Sequence, residues 1–182
     1  MTVTEIIAQA IGIVAMVFNV LSYQCKNAKK VFLMQMVGSA LFGINYFMLG
    51  ATIGGVLNIV AVTRAIVYYN SEKLKSNHIG YFIFFTIAYI SSYVITFTLL
   101  GKPFTLYNAV IELLPVIAMI SLNIGFKIGT SKAIRRFGFV ASPCWLTYNI
   151  VNVAVGAIIC EAISIVSIFI GMLRHDINKE NK

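Results

Sequence analysis

The sequence predicts an all-α integral membrane protein with seven transmembrane helices, arranged as two parallel three-helix repeats joined by a linker helix (3+1+3). Three observations predict it. The 182 residues are 59% hydrophobic and only 11% charged, whereas soluble domains carry about 25% charged residues. Apolar runs recur along the chain, two of them too long for a single crossing, with basic residues gathered in the gaps. Motifs of the first half return in the second at an offset of 102 to 103 residues.

A spanning helix needs about 20 apolar residues. The first is Ile6–Tyr23, preceded by Thr2 and Glu5 at capping-box spacing. The opening MTVTEIIAQ has no basic n-region and does not read as a cleaved signal. A basic loop with Lys26, Lys29 and Lys30 follows. Val31–Tyr69 then carries no charge except Arg64. As one helix it would reach about 58 Å, roughly twice a hydrocarbon core. It must fold back, and Gly50–Gly55 (GATIGG) is the turn. That yields a second helix, Val31–Leu49, and a third, Thr52–Tyr69. Gly38, Ser39, Gly43, Gly50, Gly54 and Gly55 supply the small-residue spacing that lets these two pack closely.

Asn70–Asn77 is a polar loop, and His78 beside it has no partner visible in the sequence. The fourth helix is Ile79–Leu100, followed by a turn at Gly101–Pro103. The fifth is Phe104–Phe126, with a kink expected at Pro115. A basic loop, Lys127–Arg136, leads to Phe137–Leu173, again too long to cross once. A break near Asn152–Gly156 divides it into the sixth and seventh helices, and Arg174–Lys182 is a polar tail. The expected units are thus 1–70, a linker 71–103, 104–173 and the tail 174–182.

Seven spans put twelve basic residues on one side, from Lys26 to Lys182, and only Lys102 on the other. The positive-inside rule then places the N-terminus outside and the C-terminus in the cytoplasm. The same placement turns the net charge of +8 into a topology signal and argues against nucleic acid as a partner. Cys25, Cys144 and Cys160 have neither metal-ligand nor redox spacing. No Ser/His/Asp set, HExxH or phosphate loop is present. An enzyme is not expected, nor a metal or other cofactor.

The repeat reads as follows. Val14-Ala15-Met16 matches Ile117-Ala118-Met119, and Lys29 matches Lys132. GINYFML at Gly43–Leu49 lies over WLTYNIV at Trp145–Val151, Gly54 matches Gly156, and Asn58 falls within one residue of Glu161. Three spans are an odd number, so a single linker helix restores both halves to one orientation, and a substrate path would run between them.

This layout resembles the SWEET, PQ-loop and PnuC-like transporters. The run QCKNAKKVFLMQMVGSALFGINYFMLGATIGGVLNIVAVTRAIVYY, Gln24–Tyr69, more closely resembles the YgjV-type family of bacterial inner-membrane proteins. The SWEET resemblance implies solute contacts from Asn58, from Glu161 or its neighbour Cys160, and from Trp145. The YgjV resemblance implies the bacterial inner membrane.

The residues themselves carry the same candidates. An arginine on a membrane helix costs about 2.5–3.5 kcal/mol by insertion scales, so Arg64 should line a cavity, pair with an acid or snorkel to the headgroups. Glu161 reads as a structural partner of an amide or of Arg64, or as a solute ligand or proton-coupling group. Glu112 sits at a similar depth, where two carboxylates in one cavity would suit coupling, or it is a solvated residue at the outer mouth. Asn19, Asn45, Asn108, Asn123 and Asn149 default to interhelical hydrogen bonds, and Asn149 joins the solute-site candidates.

The expected function is SWEET-like transport or facilitated passage of a small polar solute, with proton coupling as one form. The alternative is a non-transporting scaffold or sensor binding a protein or lipid; an ion channel would require several copies. The expected partners are the lipid bilayer and the solute, with homo-oligomer formation left open. A polar hollow between the halves would favour transport, and a tightly packed centre the scaffold.

Overall fold

The computed structural model describes residues 3–48, 52–75, 78–99, 101–151 and 155–177. Thr2 of the expected capping box, 49–51, Asn77, Leu100, 152–154, Lys179 and Lys182 lie outside them. The described residues hold eight α-helices and no strand: α1 Val3–Ser22, α2 Ala28–Met48, α3 Thr52–Tyr69, α4 Ser71–Leu74, α5 Ile79–Thr98, α6 Leu106–Ile128, α7 Ser131–Val151 and α8 Val155–Met172. A π-helical turn, Leu173–Ile177, continues α8.

Among the described residues, five stretches are long and apolar enough to cross a membrane: α1, α2, α5, α6 and Ala157–Asp176. Gly54–Tyr69 within α3 is apolar but shorter. α7 is long, but its first turns carry Lys132, Arg135 and Arg136. Here the structure differs from the expected basic loop Lys127–Arg136. Lys127 belongs to the last turn of α6, and only Gly129 and Thr130 separate the helices. Gly129 closes α6 at φ +73°, a conformation glycine adopts without steric cost. The Thr130 hydroxyl accepts the Ala133 N–H at 3.2 Å, so the next helix starts at once. Local capping therefore overrides the charge pattern. Asn27 does the same for α2, its side-chain oxygen accepting the Lys29 N–H at 2.8 Å, which makes Lys29 and Lys30 helical. His78 caps α5, Nδ1 accepting the Gly80 N–H at 3.1 Å.

Small residues set the packing. α1 turns Ala8, Ala15 and Ser22 inward, one every seven residues, a single helical stripe. Against them α2 places Asn45, Gly38 and Gln35 in antiparallel order. The Asn45 amide donates to the Ala8 carbonyl at 2.7 Å, and the Gln35 amide donates to the Ser22 hydroxyl at 3.2 Å. A β-carbon on Gly38 would stand 3.3 Å from the Ala15 carbonyl. Gly38 thus serves α1, while Gly43, Gly54 and Gly55 serve the expected α2–α3 contact.

α6 lies between α5 and α7, and α3 touches both α5 and α6. Asn123 ties α6 to α5, donating to the Phe82 carbonyl and the Thr86 hydroxyl, both at 3.1 Å. α1 packs on α8, and α2 meets α7. Helix ends and short connections from distant parts of the chain meet at one end, the basic end. There Lys29 pairs with Glu72, the Ser131 hydroxyl donates to the Lys26 carbonyl, and Arg135 pairs with Asp176.

Candidate functional site

Polar residues recur on one face of each central helix, and these faces meet. α2 contributes Gln35, Ser39, Phe42 and Tyr46, at steps of four, three and four, the spacing of one helical face. α3 contributes Asn58 and Arg64, six residues and so about 9 Å apart along its axis. α7 contributes Ser142, Trp145 and Asn149, and α8 contributes Cys160 and Glu161. With Asn19 of α1, Tyr23 just beyond its end, and Met119 and Leu122 of α6, they surround a hollow of about 70 Å³. That space accommodates several water molecules or one small group. α5 does not line it.

Five of the six expected residues meet here: Asn58, Glu161, Trp145, Arg64 and Asn149. Glu112 stands apart. It is buried on α6, but it pairs with Lys102 of the loop before that helix and does not line the hollow. The two carboxylates therefore do not share a cavity. Lys102, ten residues away in the chain, neutralises Glu112 locally.

Arg64 is buried to 2% exposure, so it does not snorkel. Among the described residues it forms no ion pair with Glu161, although both line the hollow. Its guanidinium lies over the Phe126 ring, 4.3 Å from the centroid, with the Tyr89 ring at 5.9 Å. Nη1 donates to the Met119 carbonyl at 3.2 Å. Nε is buried and has no acceptor. Rings of this kind stabilise a desolvated cation by about 2 kcal/mol, but they leave its hydrogen-bonding edge unmet. Glu161 has Ser142 of α7 as its hydrogen-bonding neighbour.

Between hollow and basic end, the halves of the chain meet along two seams. In the first, Phe32, Tyr68 and Phe126 close on one another, with centroids 4.6 Å apart for Phe32–Phe126 and 6.0 Å for Tyr68–Phe126. Beyond them a recess of about 610 Å³ opens, lined by Lys29, Glu72 and Lys127 among others. In the second, Arg135 is ion-paired to Asp176, and its Nη1 donates to the carbonyls of Tyr23 at 3.4 Å and Cys25 at 3.0 Å. The Gln24 amide donates to the carbonyl and hydroxyl of Ser167, and His175 Nε2 lies 3.1 Å from the Gln24 carbonyl.

Asn19, Gln35, Tyr46 and Ser142 are lining residues that sequence reasoning did not place at the site. The regular spacing Gln35–Ser39–Phe42–Tyr46 was the available signal. The amides divide by role: Asn45 and Asn123 bond between helices, Asn108 bonds the Pro103 carbonyl, and Asn19 and Asn149 line the hollow.

No curated protein and no solved structure matches the chain. A family model described as bacterial inner membrane protein, Imp-YgjV, matches residues 6–179, nearly the whole length. The apolar helices built around a polar centre are those of a membrane protein, and the chain belongs to the Imp-YgjV family of bacterial inner membrane proteins.

Proposed function

We propose that the protein is a SWEET-like transporter or facilitator of a small polar solute. Two three-helix units, 1–70 and 104–173, would flank the hollow as parallel repeats, with 71–103 as the linker. In this reading α1, α2, α3, α5, α6, α7 and α8 all cross the membrane, and the basic end faces the cytoplasm. The observation that carries the proposal is the polar centre. A scaffold gains nothing from a hollow lined by Asn58, Asn149, Arg64 and Glu161, since buried polar groups cost free energy unless something satisfies them.

The lining also supports the repeat. Asn19 and Leu122, Ser39 and Ser142, Phe42 and Trp145, Tyr46 and Asn149, and Asn58 and Glu161 all line the hollow. Each pair is separated by 103 positions. This register sets Phe42 opposite Trp145, one residue from the pairing of Gly43 with Trp145 that motif similarity suggests. It also relates the two seams, because Phe32, Tyr68 and Tyr23 correspond to Arg135, Gly171 and Phe126. One seam is built mainly of ring contacts, with the Arg64 guanidinium laid on Phe126, and its counterpart of a buried ion pair and hydrogen bonds. The aromatic seam is then the one that parts when the halves rock, connecting hollow and recess. Glu161, on the α8 face opposite Asn58, is the proton-coupling group of a coupled form.

The test begins with a thermal-shift screen of the purified protein across sugars, vitamins, amino acids and nucleosides, since a ligand bound only by the folded state raises the melting temperature. Solutes that bind are then assayed for uptake into proteoliposomes. Binding and uptake that weaken in Asn58→Ala are expected. No binding in the screen, together with no reaction of Cys160 with water-soluble thiol reagents from either side, would favour the scaffold.

A further inference from the structure

We propose that Arg64 makes one pole of the hollow an anion site, so that the transported solute carries a carboxylate or a group of like chemistry. The inference rests on the transport reading above and narrows its substrate class.

Arginine cannot relieve burial by losing its proton, as a lysine can. The charge on Arg64 is therefore permanent, and at 2% exposure it is out of reach of bulk water. Among the described residues no carboxylate pairs with it. Its Nη1 is taken by the Met119 carbonyl and one face by the Phe126 ring, while buried Nε has no partner. Nearby, the Tyr68 phenol is also buried without a hydrogen-bond partner, and the Tyr89 phenol approaches Arg64 without closing a full hydrogen bond. Unmet donors around an unpaired cation are the surroundings of a missing anionic acceptor, because buried polar atoms in native proteins are nearly always satisfied.

Guanidinium favours planar carboxylates, which it can hold through two N–H groups at once. Glu161 lines the same hollow and disfavours a second negative charge. The fitting solute is therefore a small monoanion whose other end offers a hydrogen-bond donor or a positive charge, as hydroxy acids and amino acids do. Asn58 and Ser142 line the space between as further hydrogen-bonding groups.

The experiment compares matched pairs on the purified protein at one ionic strength: acetate against acetamide, lactate against lactamide, and glycine against glycinamide. The carboxylate member should raise the melting temperature and its amide should not. Arg64→Gln should weaken carboxylate binding by about ten- to a hundredfold, the span of one charge-assisted hydrogen bond; Arg64→Lys should retain part of it. Equal shifts from both members of each pair, or a carboxylate shift that survives Arg64→Gln, would overturn the inference. The wild-type comparison stands even if the variants fold poorly. A neutral solute that binds and crosses proteoliposomes while no carboxylate binds sinks the anion site and leaves transport intact. Carboxylates that bind through Arg64 but do not cross leave the site standing and remove the transport reading.

Discussion

Phe32 and Phe126 face each other across the α2–α6 seam with ring centroids 4.6 Å apart, each nearly fully buried. Ring contacts, with the Arg64 guanidinium laid on Phe126, form the closure between a polar hollow and a recess at the basic end. Phe32→Ala should loosen it. In a background lacking Cys25 and Cys144, Cys160 should then react severalfold faster with a membrane-impermeant thiol reagent applied from the basic side. With the basic end cytoplasmic, as proposed, labelling of inverted membrane vesicles measures this, and an unchanged rate would count against a gate at this seam.

The opposite seam should behave as a fixed joint. Asp176→Asn leaves Arg135 buried without its counter-charge, a change that typically costs 3–5 kcal/mol, here taken as roughly that size. The double variant Arg135→Met/Asp176→Leu removes both charges and should recover much of the loss. Gly171→Ala should destabilise the same joint, because its new β-carbon would lie 2.5 Å from the Tyr23 carbonyl oxygen; overpacking of this kind costs about 1–3 kcal/mol. Thermal unfolding in detergent reads all three.

Glu161→Gln keeps the shape of the side chain and removes its titration. If Glu161 couples protons, uptake of an identified solute should lose its dependence on a pH gradient while binding persists. Uptake that responds to the gradient as in the wild type would remove the coupling role and leave a facilitator.

Glu72 offers a contrast at the surface. The Lys29 ammonium bonded to it, at 2.8 Å, holds its carboxyl below the ordinary carboxylate range. A depressed folded-state value contributes stability above the ordinary carboxylate pKa, lost as pH falls through the depressed one. Both side chains are largely exposed, so the gain is small. Glu72→Gln should slightly lower the melting temperature at neutral pH in low salt. The difference should vanish in strong acid and shrink in high salt.

What the sequence determined by itself is what neighbouring residues decide. Hydropathy marked the fold-back within Val31–Tyr69, and α3 does begin at Thr52. An arginine among apolar residues singles out Arg64 but leaves open whether it lines a cavity, pairs or snorkels, and the structure buries it. α7 starts at Ser131 and not at the expected Phe137, because the cap at Thr130 outweighs the run of charge that follows it, although both are local signals. Only the tertiary structure decided the partners. Arg135 meets Asp176 41 positions away, Gln24 meets Ser167 143 away, and Glu112 turns to Lys102 instead of joining Glu161. Such choices depend on how each helix is rotated about its axis and where its neighbours stand. Apolar runs that are hydrophobic on every side leave that rotation open, and close packing of small residues such as Gly38 against Ala15 then selects it.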